Sequence, residues 1–237
     1  MGSDPPLVEF SGAPAMAARL ADLIALALDR AVAEQGLASI ALSGGATPAL
    51  LYAALGARAV DWPNVTATLV DERFVAPTAA GSNEGFIRSN FLAGAAARAR
   101  FAGLRGEAHG LDDAAIEAAT RVAGVVRPFD VVVLGMGVDG HTASWFPHAS
   151  GLREALADNA PLVAPIRAQK SAVTGDDVER LTLSLRAIRD ARLIVLLIAG
   201  ADKRRAFAAA CAGGPVDDAP VRAILRARPD LWACWAP

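Results

Sequence analysis

His141 stands two residues after Asp139, at the end of Gly135-Met136-Gly137-Val138-Asp139-Gly140, and this loop follows an apolar run. An imidazole on a glycine-rich loop at a strand end, with a carboxylate close by, suits a general base that accepts a proton near neutral pH. His109 and His148 have no comparable surroundings and read as surface residues. Three scattered histidines provide no H-x-H or H-x-x-x-H pair, so no metal site is expected. The loop also matches G-x-G-x-x-G literally. A dinucleotide fold needs a helix opening inside that motif and a second strand ending in an acid about 20 residues on. His141-Thr142-Ala143-Ser144-Trp145-Phe146-Pro147 follows instead, and no apolar strand leads into Asp158.

A second kind of chemistry is written at Ser43-Gly44-Gly45-Ala46-Thr47-Pro48. Glycines between a strand and a helix let backbone N–H groups approach an anion, and the helix start favours negative charge. The loop reads as a phosphate cradle or, more plainly, as a tight turn with Thr47 capping a helix that Pro48 begins. It is not the nucleotide P-loop, because no Gly-Lys-Ser/Thr follows. Arg73, Arg88, Arg180 and Lys203 are the candidate cations for an anionic ligand. The chain has 21 arginines, most of which must be solvated, and its lysines are Lys170 and Lys203. Arg73 and Lys203 stand out because they fall at expected strand ends. Asp71 shares that position in Asp71-Glu72-Arg73.

These groups need a scaffold. Strands are expected at Leu7 to Phe10, Ala38 to Leu42, Val65 to Val70, Asp130 to Leu134, Leu181 to Leu185, Leu193 to Ala199 and Leu231 to Trp235. Helices are expected at Pro14 to Glu34, from Pro48 through Leu55, and at Ser82 to Leu92, Asp112 to Val125 and Asp202 to Ala212. Met16, Leu20, Leu23, Ile24, Ala27, Leu28 and Val32 make one apolar stripe on the first helix, which Gly36 ends. Strands alternating with helices imply an α/β fold: a mostly parallel, doubly wound sheet flanked by helices. In such sheets ligands bind beyond the carboxyl ends of the strands, where the clusters at 43–48, 71–73, 135–142 and 200–203 all fall. The polar stretch from Arg167 to Glu179 reads as a mobile loop, and the four tryptophans as packing residues.

The chain has 237 residues, 54% hydrophobic and 20% charged, with a net charge of −2. A sizeable core can form, and no global basicity draws the chain to nucleic acid or an anionic membrane. The apolar stretch Met16 to Ala33 is broken by Arg19, Asp22, Asp29 and Arg30, so it neither spans a bilayer nor makes a signal peptide. Cys211 and Cys234 supply no metal cluster or disulfide framework and fit a reducing cytoplasm. A single domain over 7–237 is expected, after a disordered lead at 1–6.

Ser43-Gly44-Gly45-x-Thr47-Pro48, Asp71-Glu72-Arg73, Ser82-Asn83-Glu84 with Arg88, and Leu134-Gly135-Met136-Gly137-x-Asp139-Gly140-His141-Thr142-Ala143-Ser144-x-Phe146-Pro147 together resemble the 6-phosphogluconolactonase family. Arg180-Leu181-Thr182-Leu183-Ser184 and Gly200-Ala201-Asp202-Lys203 look like its later blocks. The resemblance covers about residues 40 to 205 in order. It implies a Rossmann-like α/β domain shared with glucosamine-6-phosphate deaminases, and hydrolysis of 6-phospho-D-glucono-1,5-lactone in the oxidative pentose phosphate pathway. No cofactor is implied. His141 would activate water, with Asp139 or Asp71 as its partner, and N–H groups near Gly44, Gly45 or Gly137 would receive the oxyanion. The phosphate would lie among Ser43, Gly44, Gly45, Thr47, Arg73, Arg88, Arg180 and Lys203. The expected partner is the small sugar-phosphate lactone, with no nucleic acid and no membrane; the expected state is a monomer or weak homodimer in the cytoplasm. Ala46 departs from the Ser often found in the glycine loop. Deaminases carry Asp-Glu-Tyr at 71–73 and an acid before the Pro of the histidine block, whereas this chain has Arg73 and Phe146. A sugar-phosphate sensor would need a DNA-binding module, and only some six residues precede the first expected strand.

Overall fold

The computed structural model describes residues 5–237. Residues 1–4 of the expected lead lie outside the described residues; Pro5 and Pro6 precede the first strand. Ten strands form: β1 (Leu7–Glu9), β2 (Ala38–Leu42), β3 (Val65–Leu69), β4 (Asp71–Arg73), β5 (Arg100–Ala102), β6 (Val131–Gly135), β7 (Val163–Arg167), β8 (Glu179–Leu183), β9 (Leu193–Ala199) and β10 (Trp232–Ala236). The helices are α1 (Ala13–Gln35), α2 (Ala49–Gly56), α3 (Asn83–Asn90), α4 (Leu111–Ala123), α5 (Leu152–Leu156), α6 (Leu185–Ile188), α7 (Ala201–Cys211) and α8 (Val221–Ala227).

Seven strands make a parallel sheet in the order β1-β10-β9-β6-β2-β3-β5. From β2 the chain builds outward through β3 to β5, then returns to β2's other side with β6 and builds the opposite way. The reversal lies between β2 and β6, so the crevice beyond their carboxyl ends is the topological switch point, where α/β sheets take their ligands. The loops that leave these two strands are the two glycine-rich loops. Ala38–Leu42 is buried throughout, as are Val131, Val132, Val133 and Leu134, which explains their near-continuous apolar character. On α1 the buried face is Met16, Leu20, Ile24 and Leu28 with Ala17, Ala21, Ala25 and Ala31, while Leu23, Ala27 and Val32 flank it. Gly36 ends that helix in the left-handed region at φ 80°, donating its N–H to Val32 O.

Asp71–Arg73 does not end β3. It forms β4, which pairs antiparallel with β8 in a second sheet, β4-β8-β7. The bend at Val70 is held on both sides: Val70 N–H donates to Leu42 O, and Leu183 N–H donates to Val70 O. Arg167 and Glu179 belong to β7 and β8, so the segment read as a mobile loop is the connection of an antiparallel hairpin. It has its own turn, in which Ser171 and Gly175 bridge and Thr174 accepts from the Ser171 N–H at 2.8 Å. β7 escapes sequence reading because Pro165 interrupts it, and proline is tolerated there because β7 is an edge strand. β5 is three residues long and carries no β-favouring run beyond Phe101. No helix among the described residues is long and apolar enough to cross a membrane.

Leu42 is wholly buried in β2, one residue before the glycine loop. Leu42→Ala should lower the free energy of unfolding by about 2–5 kcal/mol through lost burial and a residual cavity. Urea unfolding of the variant beside wild type checks this; a change below about 1 kcal/mol would mean the site repacks freely.

Candidate active site

A cavity of about 200 Å³ opens at the switch point. Its wall includes Ser43, Gly44, Gly45 and Thr47 from the loop after β2, Asp71 and Arg73 from β4, His141 and Phe146 from the segment after β6, Arg180 from β8 and Lys203 from α7. Asp139 stands behind His141. Arg88 is not part of this wall: it binds Glu84 one turn earlier at 2.7 Å and lies over the Phe101 ring. The structure therefore brings every sequence-selected site residue to one place except Arg88. The i,i+4 spacing on α3 places Arg88 beside the buried Glu84 on one helix face.

The loop that carries His141 folds back on itself. Gly137 N–H donates to His141 O at 3.0 Å, Gly140 N–H donates to Gly137 O at 3.1 Å, and Thr142 Oγ1 donates to Gly135 O at 2.8 Å. No helix opens in the glycine motif; α5 begins only at Leu152. A Cβ on Gly137 would lie 2.1 Å from His141 Nδ1 and 2.5 Å from Asp139 Oδ1, so the imidazole and its carboxylate occupy the space a side chain would need. Ala143 adopts φ 49°, a left-handed conformation uncommon for a residue with a side chain and concentrated at functional turns.

His141 Nδ1 lies 2.6 Å from Asp139 Oδ1, which also accepts the His141 backbone N–H at 3.1 Å. This contact decides between the two carboxylates left open by the sequence: Asp139 touches the imidazole. Asp71 accepts from Ser144 Oγ at 2.6 Å and from Asn83 Nδ2 at 3.2 Å. Burial pushes the Asp139 carboxyl up, but the hydrogen bond from His141, its charge and its backbone N–H together outweigh that and hold it below the ordinary carboxylate range. The engagement of Nδ1 leaves Nε2 as the free nitrogen of the ring. Phe146 packs against the imidazole with ring centroids 4.5 Å apart, and the Arg180 guanidinium lies 5.4 Å from the same phenyl centroid.

The other half of the wall carries hydrogen-bond donors and cations. Tyr52, fully buried, donates its hydroxyl to Ser43 O at 2.6 Å and so pins the exit of β2. Gly45 follows at φ 98°. No backbone hydrogen bond among the described residues uses the N–H groups of Gly44, Gly45, Ala46 or Thr47. Thr47 does not cap α2, whose first residue is reached through Pro48 with no side-chain cap, so the Thr47 hydroxyl is left on the cavity wall. Ser43 Oγ and Arg73 Nε are buried without a hydrogen-bond partner among the described residues. Arg73 donates to Gly81 O, and Arg180 to Thr174 O at 2.8 Å and Asp177 O at 2.5 Å. Burial pushes Arg180 below the usual arginine range, with neighbouring Arg73 acting in the same direction and Asp71 against it. Burial alone pushes Lys203 down. Buried donors without acceptors are costly, and a multivalent anion in the cavity would satisfy them together. Among the described residues no three His, Cys, Asp or Glu side chains converge to hold a metal ion.

Asn83, Ser144 and Glu72 were not singled out as site residues by sequence. The signal for them lay in the Ser82-Asn83-Glu84 block and in the Ala143-Ser144 pair after the histidine, whose tasks only their contacts reveal. Glu72, wholly buried, accepts from the N–H groups of Arg73, Asn83 and Glu84 at 2.7 Å each and from Ser82 Oγ at 2.9 Å.

Residues 11–233 match the family model described as glucosamine-6-phosphate isomerases/6-phosphogluconolactonase. The chain is 46% identical to a 6-phosphogluconolactonase of Mesorhizobium japonicum over 96% of its own length and 94% of the relative's. It is 43% identical to a 6-phosphogluconolactonase of Rhizobium meliloti over 96% and 97% of the two chains. Among solved structures, a 6-phosphogluconolactonase from Shewanella baltica superposes with a TM-score of 0.92 at 36% identity, covering 99% of this chain and 98% of that one. A monomeric glucosamine-6-phosphate deaminase shares the fold, with a TM-score of 0.77 at 18% identity.

Because the Asp139 carboxyl is held down in the folded protein, its ionised form favours folding. That contribution is complete above the ordinary aspartate value of about 3.9 and is lost as pH falls through the lower folded value. Asp139→Asn should therefore be less stable than wild type at neutral pH, and the gap between their melting temperatures should close as pH falls from about 5 to 3. Thermal melts across that range check it. A gap that stays constant would assign the loss to packing and not to charge.

Proposed function

The chain belongs to the glucosamine-6-phosphate isomerase/6-phosphogluconolactonase family, and we propose that it hydrolyses 6-phospho-D-glucono-1,5-lactone to 6-phosphogluconate, with His141 assisting the attack of water. The observation that carries this reading is the pairing of one Asp139-oriented imidazole with an anion cradle in the same cavity. The lactone carbonyl is already electrophilic, so the protein has to supply a positioned water, a base and support for the developing negative charge. His141 Nε2 removes a proton from water as the oxygen bonds to C1. The C1–ring-oxygen bond then breaks, and the imidazolium returns the proton to the ring oxygen. Asp139, on Nδ1, holds the ring in place and balances its transient charge.

Charge on the carbonyl oxygen needs donors that no other group uses. Gly137 N–H is committed to His141 O, which leaves Gly44 and Gly45 from the backbone groups expected by sequence. Arg180, which packs on the Phe146 ring as His141 does, supports the oxyanion. The 6-phosphate lies towards Lys203, Arg73 and the Ser43–Thr47 loop. The half-buried ammonium of Lys203 has no acidic partner among the described residues and gains from an incoming dianion. The substrate is a small soluble sugar phosphate, and the reading carries with it a cytoplasmic setting.

A coupled assay that follows 6-phosphogluconate from freshly made lactone, corrected for spontaneous hydrolysis, tests the activity; a corrected rate of zero for the wild-type protein refutes it. His141→Ala should lower kcat by about 10²–10⁴-fold while the affinity for 6-phosphogluconate stays within a few-fold. A near-normal kcat would remove His141 from the chemistry.

The phosphate should act as the handle that orients the lactone, so unphosphorylated gluconolactone should have a much lower kcat/KM. Lys203→Ala should narrow the gap between the two substrates by harming only the phosphorylated one. Equal losses on both would place Lys203 on the sugar or in support of the fold.

A further inference from the structure

Asn83 opens α3 and is buried, with its polar contacts all directed to β4. Its backbone N–H donates to Glu72 Oε1 at 2.7 Å, and its Nδ2 donates to the Asp71 main-chain oxygen at 2.9 Å and to Asp71 Oδ1 at 3.2 Å. Both Asp71 atoms are acceptors, so the nitrogen end of the amide must face them and Oδ1 must face away. On that side lies Gly44. A Cβ built on Gly44 would stand 2.0 Å from Asn83 Oδ1 and 2.5 Å from its Cγ, and the three nearest atoms to that position all belong to Asn83. Gly44, unlike Gly45, is not in the left-handed region, so its backbone accepts an alanine. The Asn83 amide is what excludes one.

We infer that Asn83 is a positioning residue, a stop against which the 43–47 loop rests and which sets how far its N–H groups advance into the cavity. The stop is tied to Asp71, and Asp71 also receives Ser144, three residues beyond the base. One carboxylate thus spaces the anion cradle from His141. The identity of the ligand rests on the lactonase reading; the contact between the two residues does not.

A double-mutant cycle in the full chain tests the inference, with Gly44→Ala, Asn83→Ala and the double variant. The readouts are KM and kcat on the lactone, the Kd for 6-phosphogluconate by calorimetry, and thermal melts. Gly44→Ala alone should weaken product binding by about tenfold or more, and that loss should shrink to under about twofold once Asn83 is alanine, because residues in direct contact are not additive. Asn83→Ala alone should raise KM several-fold with kcat within about threefold, since the base and its carboxylate are untouched. Equal losses from Gly44→Ala in both backgrounds overturn the inference, as does an Asn83→Ala variant with a lowered melting temperature and an unchanged KM. If Asn83→Ala does not fold, Asn83→Ser gives the same cycle. If the wild type turns over no lactone, the cycle is read on inorganic phosphate affinity: coupling between the two positions supports the stop, and additivity or no binding overturns it.

Discussion

Two adjacent acids buried at the start of β4 hold the site together. Successive residues of a strand face opposite ways, so Asp71 and Arg73 reach the cavity while Glu72 turns into the body of the protein. Burial holds the Glu72 carboxyl above the ordinary carboxylate range, although the N–H groups of Asn83, Glu84 and Arg73 and the Ser82 hydroxyl act against it. A carboxylate in the interior is tolerable only when its lone pairs are satisfied, and the start of α3 supplies unpaired N–H groups for the purpose. With α3 docked on Glu72, Asn83 meets Asp71, and Ser144 completes the junction from the loop that carries His141.

Electrostatics divides the arginines in the same way. Most of those with partners lie at the surface, as Arg58 with Asp22 or Arg192 with Glu34, where such pairs contribute little. Arg73 and Arg180 are opposite one another across β4 and β8, two like charges that a sheet would ordinarily keep apart. Backbone carbonyls of Gly81, Thr174 and Asp177 restrain them without neutralising them. The arrangement is unfavourable in an empty cavity and favourable around an anion. Asp130, by contrast, is buried at the amino end of β6, where Ser39, Gln35 and Arg192 surround it. That carboxylate ties strands at the end of the sheet opposite the cavity.

The long elements were legible because their hydrophobic periods are strong. Ala38–Leu42 and Leu193–Ala199 match the expected strands at both ends, and α1 extends one residue beyond its expected span at each end. What escaped reading was short, edge-bound or polar. Asp71–Arg73 has no apolar residue to mark it as a strand, and it becomes one only because β8 lies beside it. Pro165 argues against a strand unless the neighbour on its N–H side is known to be missing. Thr47 carries the signature of a helix cap and does not act as one, because α2 is entered through Pro48 after a bend at Gly45.

Residue types and local spacing alone determined the two glycine-rich loops, the aspartate two places before the histidine, and the alternation that requires a parallel sheet. Each depends on the backbone freedom or hydropathy of a few neighbours, which a linear sequence records in full. The tertiary structure decided the rest: that Asp139 and not Asp71 meets the imidazole, that Arg88 turns to Glu84 outside the cavity while Arg180 turns into it, and that Asn83 fills the space beside Gly44. These outcomes turn on distances of a few ångströms, whether the partners lie 2 residues apart, as Asp139 and His141 do, or 39 apart, as Gly44 and Asn83 do. A hydrogen bond weakens steeply beyond about 3.2 Å, so which of several eligible partners is chosen depends on how the sheets and helices pack, not on the order of the residues.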